Sequence, residues 1–126
     1  VLAEGLIELG VITQELDDAL DIEEGQLRRW YMHNTGHWIG LDVHDVGIYK
    51  PNGEPRLLEE GMCLTVEPGL YFGAWRPDVD CPERYANIGI RIEDDILVTS
   101  NGPDVLTKDC PKTISDLEAI IGKDFQ

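Results

Sequence analysis

Two short alternating segments constrain the fold of this chain most strongly. Residues 62–67 read MCLTVE, and residues 88–93 read IGIRIE. Successive side chains of a strand point to opposite faces, so each segment predicts a strand with one apolar and one polar face. The isoleucines of the second segment are predicted to face the core. Pro68-Gly69 ends the first strand directly after Glu67, a position where functional side chains are common.

Helices are predicted before and after these strands. Apolar residues at helical spacing predict a first helix that ends at Gly10, and Thr13 is predicted to cap a second. Residues 115–118 form a capping box that predicts a last helix. Residues 46–60 and 73–87 are predicted to be irregular, Asn101-Gly102 a turn, and residues 105–107 a short edge strand. The side chains expected on the buried sides of the last two helices are Leu16, Leu20, Leu117, Ile120 and Ile121. The predicted fold class is therefore α+β, with antiparallel strands between helices.

Charge excludes some classes of partner. The 126 residues include 25 acidic and 10 basic side chains, for a net charge of -15. Such a chain repels nucleic-acid phosphates and anionic membranes, so neither is an expected partner, whereas it attracts cations.

Its three cysteines are widely spaced and form no CxxC pair, which favours the reducing cytoplasm. We find no membrane-spanning run and no signal peptide, and the absence of an initiator methionine suggests a piece of a longer protein.

All three histidines lie in residues 33–45, HNTGHWIGLDVHD. Imidazole suits both divalent metals and proton transfer. With carboxylates from the two strands, Glu67 and Glu93, it would form a mixed nitrogen and oxygen site for Mn, Fe, Co or Zn. Plainer interpretations remain open from the pattern alone: buried, paired histidines, Glu67 in water at a strand end, and an ion pair between Glu93 and Arg91. The spacing is not HExxH, which excludes the usual single-zinc peptidase helix.

Three motifs in order carry a family resemblance: residues 33–45, the run GMCLTVEPGLY at 61–71, and GIRIEDD at 89–95. Together they resemble the creatinase, aminopeptidase P and methionine aminopeptidase superfamily, the "pita-bread" metallopeptidases of family M24. The pattern is most similar to that of the Xaa-Pro aminopeptidases (aminopeptidase P). The resemblance covers nearly the whole chain. It implies that residues 1–126 are a single partial domain, the carboxy-terminal half of a pita-bread catalytic domain with a curved antiparallel sheet covered by helices.

The resemblance implies a role for each matched residue. His37, Glu67 and Glu93 correspond to metal ligands, with Glu93 bridging two ions, and Glu67 also to a proton shuttle. His33 and His44 correspond to catalytic residues that contact the substrate, and Arg91 to a residue supporting the bridging carboxylate. The implied reaction is hydrolysis of an N-terminal Xaa-Pro peptide bond by a hydroxide shared between two divalent ions. Mn(II) is the expected metal, with Co(II), Zn(II) and Fe(II) as alternatives, and the substrate is a peptide with proline at its second position.

The chain also departs from the family pattern. The family's two-metal site has five protein ligands, two of them aspartates from the preceding half of the fold, and neither aspartate nor its motif occurs here. We therefore expect an active longer parent, a homo-oligomer in the cytoplasm, and an inactive fragment that needs the missing amino-terminal half as its partner. Three alternatives stay open: a prolidase acting on dipeptides, a non-catalytic binding module, and a metal-free creatinase-like amidinohydrolase.

Overall fold

The structure, a computed structural model, describes residues 1–73 and 79–123 and divides the chain into two compact units. The first unit comprises residues 1–34 and 68–91, and the second comprises residues 35–67 and 92–126. Short 3₁₀ turns occupy Gln26–Arg29, Pro51–Gly53 and Glu83–Tyr85. The helices and strands, in chain order, are α1 (Leu2–Glu8), α2 (Leu16–Ala19), β1 (Cys63–Val66), β2 (Gly69–Phe72), β3 (Ile88–Arg91), β4 (Asp94–Thr99), β5 (Gly102–Val105) and α3 (Ile114–Ile120).

The helices of the first unit follow the predicted pattern with two corrections. The first helix is confirmed: α1 is followed by Gly10 in the left-handed region at φ +68°, which favours glycine. The predicted cap of the second helix is wrong, because Glu15 rather than Thr13 occupies the N-cap position of α2. The backbone N–H of Thr13 instead donates to the Gln26 side chain at 2.8 Å. Leu20 is exposed, and its neighbour Ala19 is buried in its place.

The core of the first unit lies between its helices and one side of its sheet. Strands β2 and β3 pair antiparallel, with Phe72 opposite Ile88. The buried apolar side chains are those of Ala3, Leu6, Ile12, Ala19, Trp30, Phe72 and Val79. The prediction that the three isoleucines of residues 88–93 face the core is wrong for this chain, since Ile88, Ile90 and Ile92 are all exposed. Period-two alternation identifies the apolar side of a strand, but burial also requires another layer packed against that side.

The second unit contains a three-stranded antiparallel sheet with the order β1-β4-β5. The predicted turn joins β4 to β5, and Gly102 adopts φ +108° where the chain reverses. The predicted edge strand at residues 105–107 is placed too late, because β5 ends at Val105. The predicted loop at residues 46–60 is confirmed, and its only helical turn within the described residues is the short one at Pro51–Gly53.

Burial in the second unit differs from the apolar pattern of the sequence. On β1 the most buried side chains are those of Thr65 and, just after the strand, Glu67, whereas Val66 is exposed. The strand predicted at residues 88–93 ends at Arg91, and a separate strand, β4, begins at Asp94 in a different sheet. The last helix is confirmed, but its cap is Thr113, whose side chain accepts from Asp116 N. Its predicted buried residues Leu117, Ile120 and Ile121 are exposed.

Further sequence expectations concern the cysteines, membrane crossing and the segment of residues 73–87. Cys63, Cys81 and Cys110 are free thiols. Among the described residues, no helix combines the length and apolar character that crossing a membrane requires. Trp75, Pro77 and Asp78 of the predicted irregular segment lie outside the described residues. The assignment of residues 1–126 to a single partial domain stays a prediction.

Candidate metal centre

His37 is brought to β1 by a short antiparallel pairing. Residues 35–39 run beside the strand: Thr65 N donates to His37 O at 2.9 Å, and Glu67 N donates to Thr35 O at 2.6 Å. Gly36 makes this approach possible, because a Cβ added there would lie 1.9 Å from the Thr65 carbonyl oxygen. The pairing therefore fixes His37 next to the strand that ends in Glu67.

Glu93 reaches the same place from the other edge of β1. Strand β4 pairs with β1 so that Val66 lies opposite Asp94. The same register, continued by one residue, sets Glu93 opposite Glu67. Three neighbouring extended segments thus carry one candidate ligand each.

The His37 ring presents one nitrogen to the site. Its Nδ1 lies 3.0 Å from the Trp38 carbonyl oxygen, which only accepts, so Nδ1 carries the proton of that hydrogen bond. Its Nε2 lies 3.3 Å from Oε1 of Glu67. When the ring is neutral, Nε2 of His37 and Oε1 of Glu67 both point lone pairs at each other. A cation or a shared proton between the two atoms relieves the repulsion. A backbone carbonyl that fixes the tautomer in this way is common behind metal-binding histidines.

The three donor groups fit a divalent ion. His37, Glu67 and Glu93 each offer an atom, and these atoms all lie within 4.8 Å of one another. Metal–ligand bonds of about 2.0–2.2 Å allow two ligand atoms of one ion to lie up to about 4.4 Å apart. A small side-chain rotation would bring the atoms from within 4.8 Å to that separation. Glu67 is buried, so water screens its charge poorly. The carboxylates of Glu67 and Glu93 therefore repel each other at this distance unless positive charge lies between them. The donor set is one nitrogen and carboxylate oxygens, as Mn(II), Fe(II), Co(II) and Zn(II) accept.

The other candidate residues divide between the two units. His44 belongs to the second unit, and its exposed ring meets that of His37 edge-on with 4.3 Å between centroids. His33 and Arg91 belong to the first unit. There His33 Nε2 lies 2.9 Å from the Tyr71 hydroxyl, and its Nδ1 lies 2.7 Å from the Asn34 carbonyl oxygen. The structure therefore brings together His37, Glu67, Glu93 and the ring of His44.

A family model and known relatives match this chain. The model of metallopeptidase family M24 matches residues 2–100. The chain belongs to metallopeptidase family M24. It is 46% identical over 121 residues to the Xaa-Pro aminopeptidase of Haemophilus influenzae, a match that covers 96% of this chain and 27% of that protein. The chain thus spans about a quarter of the length of this curated relative.

Solved structures of M24 enzymes share the fold. Aminopeptidase PepP of Pseudomonas aeruginosa superimposes with a TM-score of 0.83 at 45% identity, over 93% of this chain and 26% of that one. Aminopeptidase P of Escherichia coli with the inhibitor Pro-Leu gives 0.80 at 46% identity, over 94% and 26%. A zinc-substituted form of the E. coli enzyme, in complex with product, matches equally well. The predicted fold class, α+β and part of a pita-bread fold, is confirmed.

Sequence reasoning missed two neighbours of the candidate residues in this M24 chain. Thr65 is buried and hydrogen-bonded to both His37 and Glu67, and Tyr71 is bonded to His33. A signal for Thr65 was present, because alternation places it on the same face of the strand as Glu67. No such signal exists for Tyr71, since its contact with His33 joins residues 38 positions apart.

Proposed function

We propose that this chain is the carboxy-terminal part of the catalytic domain of an Xaa-Pro metallo-aminopeptidase. The observation that carries the proposal is the convergence of His37, Glu67 and Glu93 within 4.8 Å on three adjacent segments. The relative from H. influenzae is named an Xaa-Pro aminopeptidase, and the chain spans about a quarter of it. We therefore propose that the remaining ligands come from the preceding half of the catalytic domain, and that this chain alone is inactive.

Each residue has a proposed task in that reaction. His37 would hold an ion through Nε2, Glu67 would hold one through its carboxylate, and Glu93 would serve both ions. Bound divalent ions would supply an acidified water and a polarised scissile carbonyl. The Glu67 carboxylate accepts the proton of the attacking water and returns it to the leaving amine. His33 and His44 bind and orient the peptide, and Arg91 supports the bridging carboxylate.

We propose two divalent ions in the longer protein, with Mn(II) as the native metal. The single imidazole and the carboxylate oxygens support a metal that accepts harder ligands, and the same donor set also suits Co(II), Zn(II) and Fe(II).

The three free thiols support a reducing compartment, and we propose the cytoplasm. We further propose a homo-oligomer, a peptide substrate with proline at its second position, and a single partial domain over residues 1–126.

Other functions are separated by simple observations. A prolidase would perform the same chemistry on dipeptides alone, so activity on tripeptides and longer peptides favours the aminopeptidase. A non-catalytic module has no physical need to keep three converging ligands. A creatinase-like enzyme would work without metal, so loss of activity on chelation excludes it.

The experiment that tests the proposal is calorimetric titration of this chain with Mn(II), alone and with the preceding half of the catalytic domain. We expect weak binding of one ion by the chain alone. With both halves present we expect tight binding of two ions and release of the first residue from an Xaa-Pro tripeptide. If the mixture binds no metal, the metallopeptidase proposal is wrong.

A further inference from the structure

The side chain of Thr65 links two of the candidate ligands. Its hydroxyl oxygen accepts from the backbone N–H of His37 at 3.0 Å and lies 2.9 Å from Oε1 of Glu67. A backbone N–H only donates, so the single hydroxyl proton is directed to the carboxylate. The chain of hydrogen bonds therefore runs from the His37 backbone through Thr65 to Glu67.

The carboxylate oxygen that receives this hydrogen bond is the one facing the histidine. Oε1 of Glu67 lies 3.3 Å from Nε2 of His37. A carboxylate on a two-carbon stem turns about several bonds, and a hydrogen bond to one oxygen limits those rotations. Thr65 thus holds Oε1 on the His37 side, within the group of ligand atoms that Glu93 completes.

Thr65 is itself held in place. It is 2% exposed, so water does not replace its hydroxyl. Its N–H donates to His37 O, and the backbone of Gly36 lies directly against its carbonyl group. Its branched Cβ restricts χ1, so its hydroxyl keeps one direction.

We infer that Thr65 is a positioning residue of the metal centre, whose hydroxyl couples the His37 backbone to the Glu67 carboxylate and orients that ligand for a divalent ion. The inference rests on the proposed function of the site. Partners that orient a metal ligand without touching the ion contribute about 10-fold to 100-fold in metal affinity. We therefore expect the Thr65 hydroxyl to contribute about 10-fold to 100-fold to the metal affinity of the site.

The test is a titration of this chain with Co(II), followed residue by residue through paramagnetic shifts in proton–nitrogen correlation spectra. Thr65→Val removes the hydroxyl at nearly constant volume, and Thr65→Ser keeps it. Thr99→Val is the matched control, because the Thr99 hydroxyl also makes two hydrogen bonds, away from the site. It donates to Gly102 O at 2.7 Å and accepts from Asn101 N at 3.2 Å. Thr65→Ala replaces the valine variant if the latter fails to fold by circular dichroism.

We expect the Co(II) dissociation constant to rise about 10-fold to 100-fold in Thr65→Val and to stay within about threefold in Thr65→Ser and Thr99→Val. In the valine variant without metal, the His37 amide proton should also exchange with solvent at least about tenfold faster, since its acceptor is gone. Equal Co(II) affinity in Thr65→Val and the unchanged chain would overturn the inference and leave the metal centre standing. An unchanged chain whose His37 signals do not respond to Co(II) would overturn the metal centre and the inference together.

Discussion

At the scale of single residues, the candidate site depends on close contacts that leave no space for a larger side chain. Gly36 lies so close to Thr65 that any side chain would meet its carbonyl oxygen. Glu93 is exposed, unlike Glu67, yet it completes the ligand group. These two positions allow separate tests, one of folding and one of chemistry.

Replacing Gly36 by alanine should destabilise the chain. The new Cβ would lie 1.9 Å from the Thr65 carbonyl oxygen, so the pairing of residues 35–39 with β1 has to open. Overpacking of this kind costs about 1–3 kcal/mol of unfolding free energy, measured by urea denaturation. Gly5→Ala is the control, because its Cβ meets nothing within 4 Å and alanine favours the helix. Equal stability of the two variants would contradict the close approach at Gly36.

Replacing Glu93 by alanine should abolish peptidase activity in the proposed longer enzyme. In its proposed role Glu93 would hold both ions, and loss of the ions would remove several kcal/mol of transition-state stabilisation, a fall of about 100-fold or more in kcat/KM. Glu118→Ala, an exposed acidic residue on α3, should leave activity unchanged. Near normal turnover by the Glu93 variant would show that this residue is not the bridging ligand.

At the scale of elements, helix ends and turns are stabilised by short side chains that bond to nearby backbone groups. Thr113 accepts from Asp116 N at 3.2 Å at the start of α3. Asp21, after α2, accepts from the N–H groups of Glu23 and Glu24, both at 2.8 Å. Each interaction gives a local prediction.

Thr113→Ala should destabilise α3, whereas Ser115→Ala should have little effect. Only Thr113 occupies the cap position, with extended backbone angles and a side chain that accepts from the first turn. Loss of a threonine cap costs about 1 kcal/mol. Backbone chemical shifts of α3 measure the helical population in each variant. A larger loss of helix in Ser115→Ala would favour the capping box predicted from the sequence.

Asp21 should make the turn after α2 sensitive to acid. Backbone hydrogen bonds from Glu24 and Glu23 lower the pKa of its carboxyl below the ordinary 3.8. A lowered pKa in the folded state means that this stabilisation is fully present above about pH 3.8 and is lost as the pH falls through the folded value. Carbon NMR titration of Asp21 measures this pKa. Asp21→Ala should remove the low-pH change in the Glu23 and Glu24 amide signals, and its persistence would assign the change to another group.

Some of these features can be predicted from the sequence better than others. Those that depend on neighbouring residues are predictable, whereas those that depend on residues far apart in the chain are not. Periodicity and a terminal glycine are local, so α1 and its end at Gly10 follow from the sequence. Thr113 and Ser115 are both good caps two residues apart, and tertiary context decides between them. The approach of His37 to Glu67 depends on a register across a 30-residue separation, which no local pattern encodes. The residue pattern left a histidine and carboxylate site as one of several interpretations, and the family resemblance then assigned His37 and Glu67 to it.

At the scale of the whole molecule, the chain combines a strong negative charge with apolar surface on its elements. The net charge of -15 keeps chains apart, whereas exposed apolar side chains on β3 and α3 favour association. Ile90 is 60% exposed on β3, and Ile121 is 72% exposed after α3. In the proposed longer enzyme, the preceding half of the catalytic domain would cover such surfaces.

The isolated chain should therefore self-associate, and Ile90→Lys should reduce this. The substitution replaces apolar area on a strand by a charged side chain, which natural sheets use to prevent pairing between molecules. Ile22→Lys is the matched control, because Ile22 is 77% exposed in a turn outside any strand. Sedimentation velocity at moderate salt, where charge repulsion is screened, should show a concentration-dependent increase for the unchanged chain and for Ile22→Lys. The increase should be smaller for Ile90→Lys. If the unchanged chain sediments as a monomer at every concentration, its exposed isoleucines are not an association surface. If the two lysine variants behave alike, association involves a face other than that of β3.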